Sequence, residues 1–232
     1  MKRGVLRLVR SDPSRARFDA RFFERDARFE PIAEAARAFA ELTDWPTAGE
    51  IDRALGARAG IRFVIAARRP RRKRGPVDLD SLYDAHIVRG EVPTRERHWH
   101  DFLNALVWAT FPRAKAALHA RQHRALVAWA RGGAPRESIV EKLPNARTRE
   151  LDALALIDEG GVLDCGTNKM IFGHALYEGL VLGTPAMVAR AVVLSGQPQH
   201  ADDLLAARLG EPLAPEHLPR TTLAPIQYFK HD

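Results

Sequence analysis

The chain has 232 residues, of which 46% are hydrophobic and 28% are charged, a composition that is ordinary for one globular domain. No run approaches the roughly 20 apolar residues that a membrane-spanning helix needs, and residues 1–6 lack the apolar stretch of a signal peptide. We therefore expect a cytoplasmic protein with no membrane partner. The single cysteine, Cys165, excludes an internal disulfide bond and a metal cage built of thiolates.

The positive charge lies in the first third of the chain. The net charge is +7, and residues 1–75 contain 19 Lys and Arg against 10 Asp and Glu, whereas the remainder contains 17 against 19. The densest run, residues 68–74, has no aromatic side chain on which a nucleic-acid base could stack. A solvated loop is therefore favoured over a phosphate-binding patch, and contact of the basic third with nucleic acid stays an alternative.

Residues 1–30 alternate arginine, acid and phenylalanine, which predicts a basic N-terminal arm packed on the domain. The proline at the start of residues 31–42 and the helical spacing of the apolar groups after it predict a helix. Thr47 is suited to be the N-cap of a second helix that runs to Gly56. Alternation and β-branching over residues 61–65 then predict a strand, which the basic loop follows.

The middle of the chain is predicted to be helical. Residues 79–89 are expected to form a helix that Gly90 ends. A further helix is predicted to start at Pro93, to be interrupted by Pro112 and to continue over residues 113–131, because a proline loses one backbone hydrogen bond and clashes one turn back.

The last third is predicted to contain less regular structure. Residues 151–165 read as a β-hairpin with its turn at 158–161, and residues 170–182 as a buried helix. Residues 196–232 are rich in proline and are expected to form a mostly irregular extension. The fold class is therefore α+β, a predominantly helical single domain over residues 31–195 with a small β-hairpin or small antiparallel sheet.

The helix after Pro93 carries polar groups beside its apolar face. On a helical wheel, His100, Asp101, Asn104 and Trp108 share one arc next to the core face, whereas His98 lies apart. Such residues resemble the wall of a cleft more than a solvated face, which would carry Lys and Glu. The alternative interpretation is that Asp101 and Asn104 brace a neighbouring loop.

The following helix places Lys115, His119 and His123 four residues apart on one stripe. A histidine pair at this spacing can chelate one metal ion, but the glutamate of the helical HExxH motif is missing here. Surface histidines are therefore favoured over metal ligands for His119 and His123.

His174 and Glu178 are spaced four apart in the most apolar predicted helix. Burying both without a partner would cost several kcal/mol, so they are expected either to form a site or to pair with each other and fix helix packing. Asp158 and Glu159 precede two glycines and are most often turn formers in that context. These two acids become site candidates only if the turn folds back over the other polar residues.

Several of these motifs resemble a known family. Gly90-x-Val92-Pro93-Thr94-Arg95, the Trp99–Trp108 block and Phe111-Pro112-Arg113-x-Lys115 look like the central signature of an uncharacterised bacterial family, a domain of unknown function found mainly in proteobacteria. Asp152, Asp158-Glu159 and Gly173-His174-Ala175-Leu176-x-Glu178 resemble its later motifs, so the similarity runs from about Phe39 to Leu182. The segment before Gly173 is shorter than the family pattern and the C-terminal tail departs from it. The resemblance implies one shared site and no established activity.

Two hypotheses follow for function. In the first, His100, Asp101, His174 and Glu178 bind one divalent metal, suited by ligand type to Zn, Mn or Fe, in a cleft between two helices. Asp101, Asn104, Arg113, Lys115, Asp158 and Glu159 would be catalytic, with Asn104, Arg113 and Lys115 orienting an anionic, phosphoester-like substrate for hydrolysis.

The second hypothesis is a binding protein without catalysis. The polar groups would then form a buried network, and the basic N-terminal third would contact nucleic acid or a protein partner. The chain has neither GxGxxG nor GxxxxGK[ST], so no nucleotide cofactor is expected under either hypothesis.

Overall fold

The structure is a computed structural model that describes residues 17–67, 76–132, 139–140, 143, 147–166, 168–184 and 186–223. The basic run at residues 68–74 lies outside the described residues, and so do residues 1–16 of the predicted N-terminal arm. All statements below concern the described part of the chain.

The described residues form eight α-helices and eight short strands, joined by several 3₁₀ turns. In chain order these elements are α1 (Glu30–Ala36), α2 (Ala48–Ala59), β1 (Arg62–Ile65), β2 (Val77–Asp78), α3 (Tyr83–Val88), β3 (Glu91–Thr94), α4 (Trp99–Thr110), α5 (Pro112–Arg131), β4 (Ile139–Val140), α6 (Arg149–Gly160), β5 (Gly161–Asp164), β6 (Lys169–Ile171), α7 (His174–Val181), β7 (Met187–Val193), α8 (Ala201–Arg208) and β8 (Arg220–Leu223). The prediction of a helix-dominated α+β fold is confirmed.

The strands form three small sheets. β1 pairs in parallel with β3, and β2 pairs antiparallel with β4. The third sheet has the order β6-β5-β7-β8, in which β5 and β7 are parallel and the two outer pairings are antiparallel. The largest sheet is therefore mixed rather than purely antiparallel, and α6 and α7 lie beside it.

Helix α4 lies at the centre of the hydrophobic core. It packs against α1, α2, α5 and α7, and its residues from Phe102 to Ala109 are all buried. Trp99 and Trp108 are 0% and 1% exposed, so both ends of the helix are inside the core as well. A helix that is apolar on nearly all sides must be surrounded by other elements, which is why four helices cover it.

The segment just before α1 contributes aromatic side chains to the same core. Phe18, Phe22 and Phe29 are buried, and the ring centroid of Phe22 lies 5.1 Å from that of Phe29 and 5.2 Å from that of Trp99. Residues 17–29 are thus packed onto α4 by an aromatic cluster.

The first predicted elements are found close to their expected positions. Thr47 is the N-cap of α2 and forms a capping box with Glu50, as its side chain accepts from the Glu50 amide and the Glu50 carboxylate accepts from the Thr47 amide. The helix runs past Gly56 to Gly60, which has the left-handed φ of 65° that favours glycine at a helix end. The strand predicted at residues 61–65 is confirmed as β1.

The predicted hairpin at residues 151–165 is wrong in its first half, because residues Arg149–Gly160 form helix α6. Leu151, Leu154 and Ile157 recur every three residues and are all buried on one face of this helix. Thr148 caps the helix by accepting from the Leu151 amide. Only the second half, β5, is a strand, so Asp158 and Glu159 lie in a helix rather than in a turn.

Five other predicted elements also differ from the structure. The helix expected from Pro93 begins at Trp99, because residues 91–94 pair with β1 as strand β3. The helix expected over residues 170–182 is split into β6 and α7. Helix α1 is shorter than residues 31–42, and a 3₁₀ turn precedes α3 within residues 79–89. The extension beyond residue 196 contains α8 and β8, which pairs with β7.

Candidate metal centre

Three side chains from three helices meet at one point. His100 lies in the first turn of α4, His174 is the first residue of α7, and Glu159 is close to the end of α6. The Nε2 atoms of His100 and His174 are 3.0 Å apart, and Oε2 of Glu159 is 3.4 Å from Nε2 of His174. One donor atom from each residue falls within 4.8 Å of the others, so the three side chains could hold a metal ion.

The connection between α6 and α7 places Glu159 next to His174. Gly173 donates its amide to the carbonyl of Gly161, which folds the start of α7 back against the end of α6. A Cβ atom at Gly173 would lie 2.5 Å from the Glu159 carbonyl oxygen and 2.5 Å from the Gly161 nitrogen. Glycine is therefore required at position 173 because two backbone segments approach each other closely.

Each histidine has a carboxylate near Nδ1, the ring nitrogen that faces away from the shared point. Nδ1 of His100 is 3.0 Å from Oε2 of Glu178, and Nδ1 of His174 faces Oδ1 of Asp158 at 3.8 Å. The carboxylate of Glu178 favours the His100 tautomer with its proton on Nδ1, because this N–H can then donate to it, whereas Asp158 lies beyond hydrogen-bond distance of His174. With this assignment Nε2 of His100 carries a lone pair, and it faces Nε2 of His174 at 3.0 Å.

Burial and neighbouring charges shift the pKa values of this cluster. Burial holds the pKa of His174 well below its ordinary value, which keeps this imidazole neutral. Burial and the charge of Asp158 raise the pKa of Glu159. Burial opposes protonation of His100, but the hydrogen bond to Glu178 and the charge of Glu159 outweigh it and raise the pKa of His100. A positive charge at the shared point, from a metal ion or a proton, therefore satisfies the three groups.

A second set of charged groups lies buried behind His174. Nζ of Lys115, which is 0% exposed, donates to Oδ1 of Asp158 over 2.6 Å. Nε2 of His119 is 3.8 Å from the same oxygen, and its Nδ1 is 2.9 Å from Oδ1 of Asp84. Although burial opposes ionisation of Asp158, the charge of Lys115 outweighs it and lowers the pKa of this carboxyl.

The structure places the other predicted metal ligands away from the shared point. Both oxygens of Asp101 accept hydrogen bonds from Arg95, including one from its backbone amide at 2.7 Å. Asp101 thus braces the loop that precedes α4. Glu178 lies on the far side of the His100 ring, where it accepts from Nδ1 rather than joining the three donor atoms.

The predicted substrate-orienting residues have other partners. Asn104 donates to the hydroxyl of Tyr83 at 3.1 Å, and Arg113 pairs with Asp203 on α8. Lys115 is buried in its contact with Asp158. None of these three side chains has a described contact with the three donor atoms.

Two features of this region were missed by sequence reasoning. Glu159 was expected to be a turn former with an open catalytic role, and helix α6 instead carries it to the two histidines. His119 was interpreted as a surface histidine, but it is 1% exposed and its ring stacks on that of Trp108 at 5.5 Å. The sequence showed the four-residue spacing from Lys115 to His119. It did not show that Asp158 and Asp84 would be their partners in the folded protein.

Comparison with known proteins bears on the middle of the chain. Residues 71–169 match the family model DUF3025, described as a protein of unknown function. The predicted resemblance to a domain-of-unknown-function family is thus confirmed over this stretch. The DUF3025 match includes His100, Lys115, Asp158 and Glu159, and it ends before His174. No curated protein and no solved structure matches the chain. No helix in the described residues is long and apolar enough to span a membrane.

Proposed function

We propose that the protein is a metal-dependent hydrolase in which His100, Glu159 and His174 bind one divalent ion. The observation that carries this proposal is the convergence of three possible metal-ligating atoms from three different helices. Two imidazole Nε2 atoms and one carboxylate oxygen meet at one point, while carboxylates occupy or face the opposite ring nitrogens. Nitrogen and oxygen lone pairs that face each other repel. A metal cation between them removes this repulsion, because each lone pair can then bind the ion.

The distances suit an ion with nitrogen and oxygen ligands. With metal–nitrogen bonds of about 2.0–2.1 Å, two ligating nitrogens are separated by about 2.9 Å in octahedral and about 3.3 Å in tetrahedral geometry. The separation of 3.0 Å between His100 and His174 falls within this range. Two imidazoles and one carboxylate suit Zn²⁺, and also Mn²⁺ or Fe²⁺.

The exposure of the three side chains favours a catalytic ion over a structural one. The side chain of His174 is 4% exposed, whereas those of His100 and Glu159 are 27% and 51% exposed. Three protein ligands with an open side toward solvent are typical of catalytic zinc sites, while structural sites are closed by four. When bound, such an ion supplies Lewis-acid activation of water or of a substrate oxygen.

The protein's own residues would orient the ligands and contact the substrate. Glu178 holds the proton of His100 on Nδ1 and fixes the direction of the ring. Arg95 is 55% exposed, is fixed on Asp101 and lies close enough to Glu178 to interact with it electrostatically. Arg95 is therefore the cation that we propose to contact an anionic, phosphoester-like substrate, in place of Arg113 and Lys115.

A proton in place of the metal gives the second candidate function. The raised pKa of His100 favours an imidazolium that donates to both Glu178 and His174. The cluster would then be a buried network that fixes α4 against α7 in a binding protein without catalysis, whose basic N-terminal third contacts nucleic acid or a protein partner.

Metal titration separates the two candidates. Chelator-treated protein is titrated with Zn²⁺, Mn²⁺ and Fe²⁺ (the last without oxygen) against a chromophoric competitor. We expect one ion per chain, strong loss of binding in His100→Gln, and unchanged binding in His200→Ala, where an exposed histidine far along the chain is removed. Binding by His100→Gln with the affinity of the wild type would refute the site.

Hydrolysis is tested separately on the metal-loaded protein. A panel of chromogenic phosphomonoesters, phosphodiesters and carboxylic esters is assayed with and without the bound ion. Metal-dependent turnover that His100→Gln abolishes and Arg95→Gln weakens is expected for one of the phosphoesters. If the protein binds metal but hydrolyses none of the esters, the metal site stands and the proposed hydrolase activity is refuted.

A further inference from the structure

One oxygen atom of Asp158 is the meeting point of the buried groups behind the three donor atoms. Its Oδ1 accepts from Nζ of Lys115 at 2.6 Å and lies 3.8 Å from both Nδ1 of His174 and Nε2 of His119. The three side chains that surround it come from α5 and α7, while Asp158 itself lies on α6. This oxygen therefore links three helices at the base of the candidate metal centre.

Two of the nitrogens that face this oxygen are buried without a hydrogen-bond partner. Nδ1 of His174 and Nε2 of His119 are both inaccessible to solvent and have no partner within hydrogen-bond distance. A buried polar atom in this condition costs roughly 1–3 kcal/mol, so its presence calls for an explanation, such as a partner that it gains in the metal-loaded protein. A small approach of the His174 ring to Asp158 would satisfy its Nδ1.

We propose that Asp158 is a positioning residue for His174, an inference that rests on the proposed metal site. In the metal-loaded protein, Nδ1–H of His174 donates a hydrogen bond to Oδ1 of Asp158, and the proton stays on the ring. This contact fixes the tautomer and the direction of the ring and makes Nε2 the ligand. Glu178 does the same for His100 on the other side, so each histidine has its own carboxylate.

Lys115 holds this carboxylate in place. It is 0% exposed, and its Nζ lies 5.7 Å from the ring centroid of Trp108 and 5.9 Å from that of Phe172. An exposed lysine would sample many rotamers, but this side chain is enclosed and its charge is directed at one oxygen. The Asp158 carboxylate is thereby fixed in position.

Asp84 and His119 close the far side of the same cluster. Asp84 lies at Nδ1 of His119, and the stacking of the His119 ring on Trp108 at an interplanar angle of 8° fixes its plane. Nε2 of His119 therefore points at Asp158 and limits the movement of the carboxylate in that direction. The arrangement gives a role to Lys115 and His119, the charged residue and the histidine that are buried on α5 where apolar residues would pack as well.

The test compares Asp158→Asn with Asp152→Asn, which alters an exposed aspartate on the same helix. Zinc affinity is measured by chelator competition in the folded proteins. We expect Asp158→Asn to bind one ion about 10–100 times more weakly than wild type, and Asp152→Asn to be unchanged. Affinity of Asp158→Asn within twofold of wild type overturns the positioning role and leaves the metal site intact. A wild-type protein that binds no metal overturns both.

A second variant and a spectroscopic readout separate positioning from loss of structure. The paired change Lys115→Met and Asp158→Leu removes both charges together, so that neither is left buried alone. It is expected to fold and to show the same loss of affinity. In the chelator-treated proteins, nitrogen-15 shifts of the His174 ring should report the Nδ1–H tautomer in wild type and a mixture of tautomers in Asp158→Asn. A single Nδ1–H tautomer in both proteins would contradict the proposal.

Discussion

Replacing Lys115 with methionine tests the most buried ion pair among the described residues. The ammonium and carboxylate groups of Lys115 and Asp158 are 2.6 Å apart, with side chains 0% and 12% exposed. At an effective dielectric constant of about 20, two unit charges at this separation attract each other by about 6 kcal/mol. Desolvation of both groups offsets much of this attraction in the folded state, so the pair itself contributes little net stability.

Removing only the lysine leaves the carboxylate of Asp158 buried without its cation. Breaking a buried pair in this way costs about 3–5 kcal/mol, whereas replacing both partners with apolar groups is close to neutral. We therefore expect Lys115→Met to lower the free energy of unfolding by about 3–5 kcal/mol. The double variant Lys115→Met/Asp158→Leu should recover most of that loss.

Urea unfolding of the chelator-treated proteins, followed by far-UV circular dichroism, provides the assay. The midpoint should fall in Lys115→Met at an unchanged denaturant slope, because the same surface is exposed on unfolding. For a domain of this size each kcal/mol corresponds to about 2–4 °C in Tm, so a fall of about 6–20 °C is expected as well. The expected cost of breaking the pair is refuted if Lys115→Met is less than about 1 kcal/mol less stable than wild type. It is also refuted if the double variant is less stable than Lys115→Met.

Three further changes probe the site and its supports. Glu178→Gln should weaken zinc binding about 10–100-fold in the competition assay with little change in urea midpoint, and an unchanged affinity would contradict the role of this carboxylate. Gly173→Ala should lower stability by about 1–3 kcal/mol in urea unfolding and weaken zinc binding, because the new Cβ displaces the backbone of Glu159. Gly49→Ala is the matched control, since a Cβ there has nothing within 4 Å. Phe22→Ala should lower the free energy of unfolding by about 3–5 kcal/mol in the same measurement. A loss below about 1 kcal/mol would contradict the packing of the segment before α1 into the core.

The helical part of the fold could be predicted where one pattern was unambiguous. The apolar face of α4 predicted its helical state, although the start was placed at Pro93, and its central position in the core was not predicted. The residues of α6 were less decisive, because a short and mostly apolar run such as residues 151–156 fits a buried strand as well as a buried helix. The N-cap at Thr148 was the local signal that could have decided for the helix.

The candidate site could be predicted only in part, because its partners come from distant parts of the chain. His100 and His174 were expected to face each other from two helices, and they do meet. Glu159 was not expected to be a ligand, since placing it depends on α6 being a helix and on the close approach at Gly173. Asp101 illustrates the converse. Its position on the wheel suggested a ligand, while a hydrogen bond to the backbone of Arg95 occupies it.

The central claim is that His100, Glu159 and His174 bind one divalent ion. Native mass spectrometry of the wild-type protein beside His100→Gln, both purified, stripped with chelator and reloaded with one equivalent of Zn²⁺, tests it most directly. The claim predicts that the wild-type chain gains the mass of one zinc ion and that the His100→Gln chain stays metal-free under the same conditions. A wild-type chain that stays metal-free, or a His100→Gln chain that retains zinc equally, would contradict the claim.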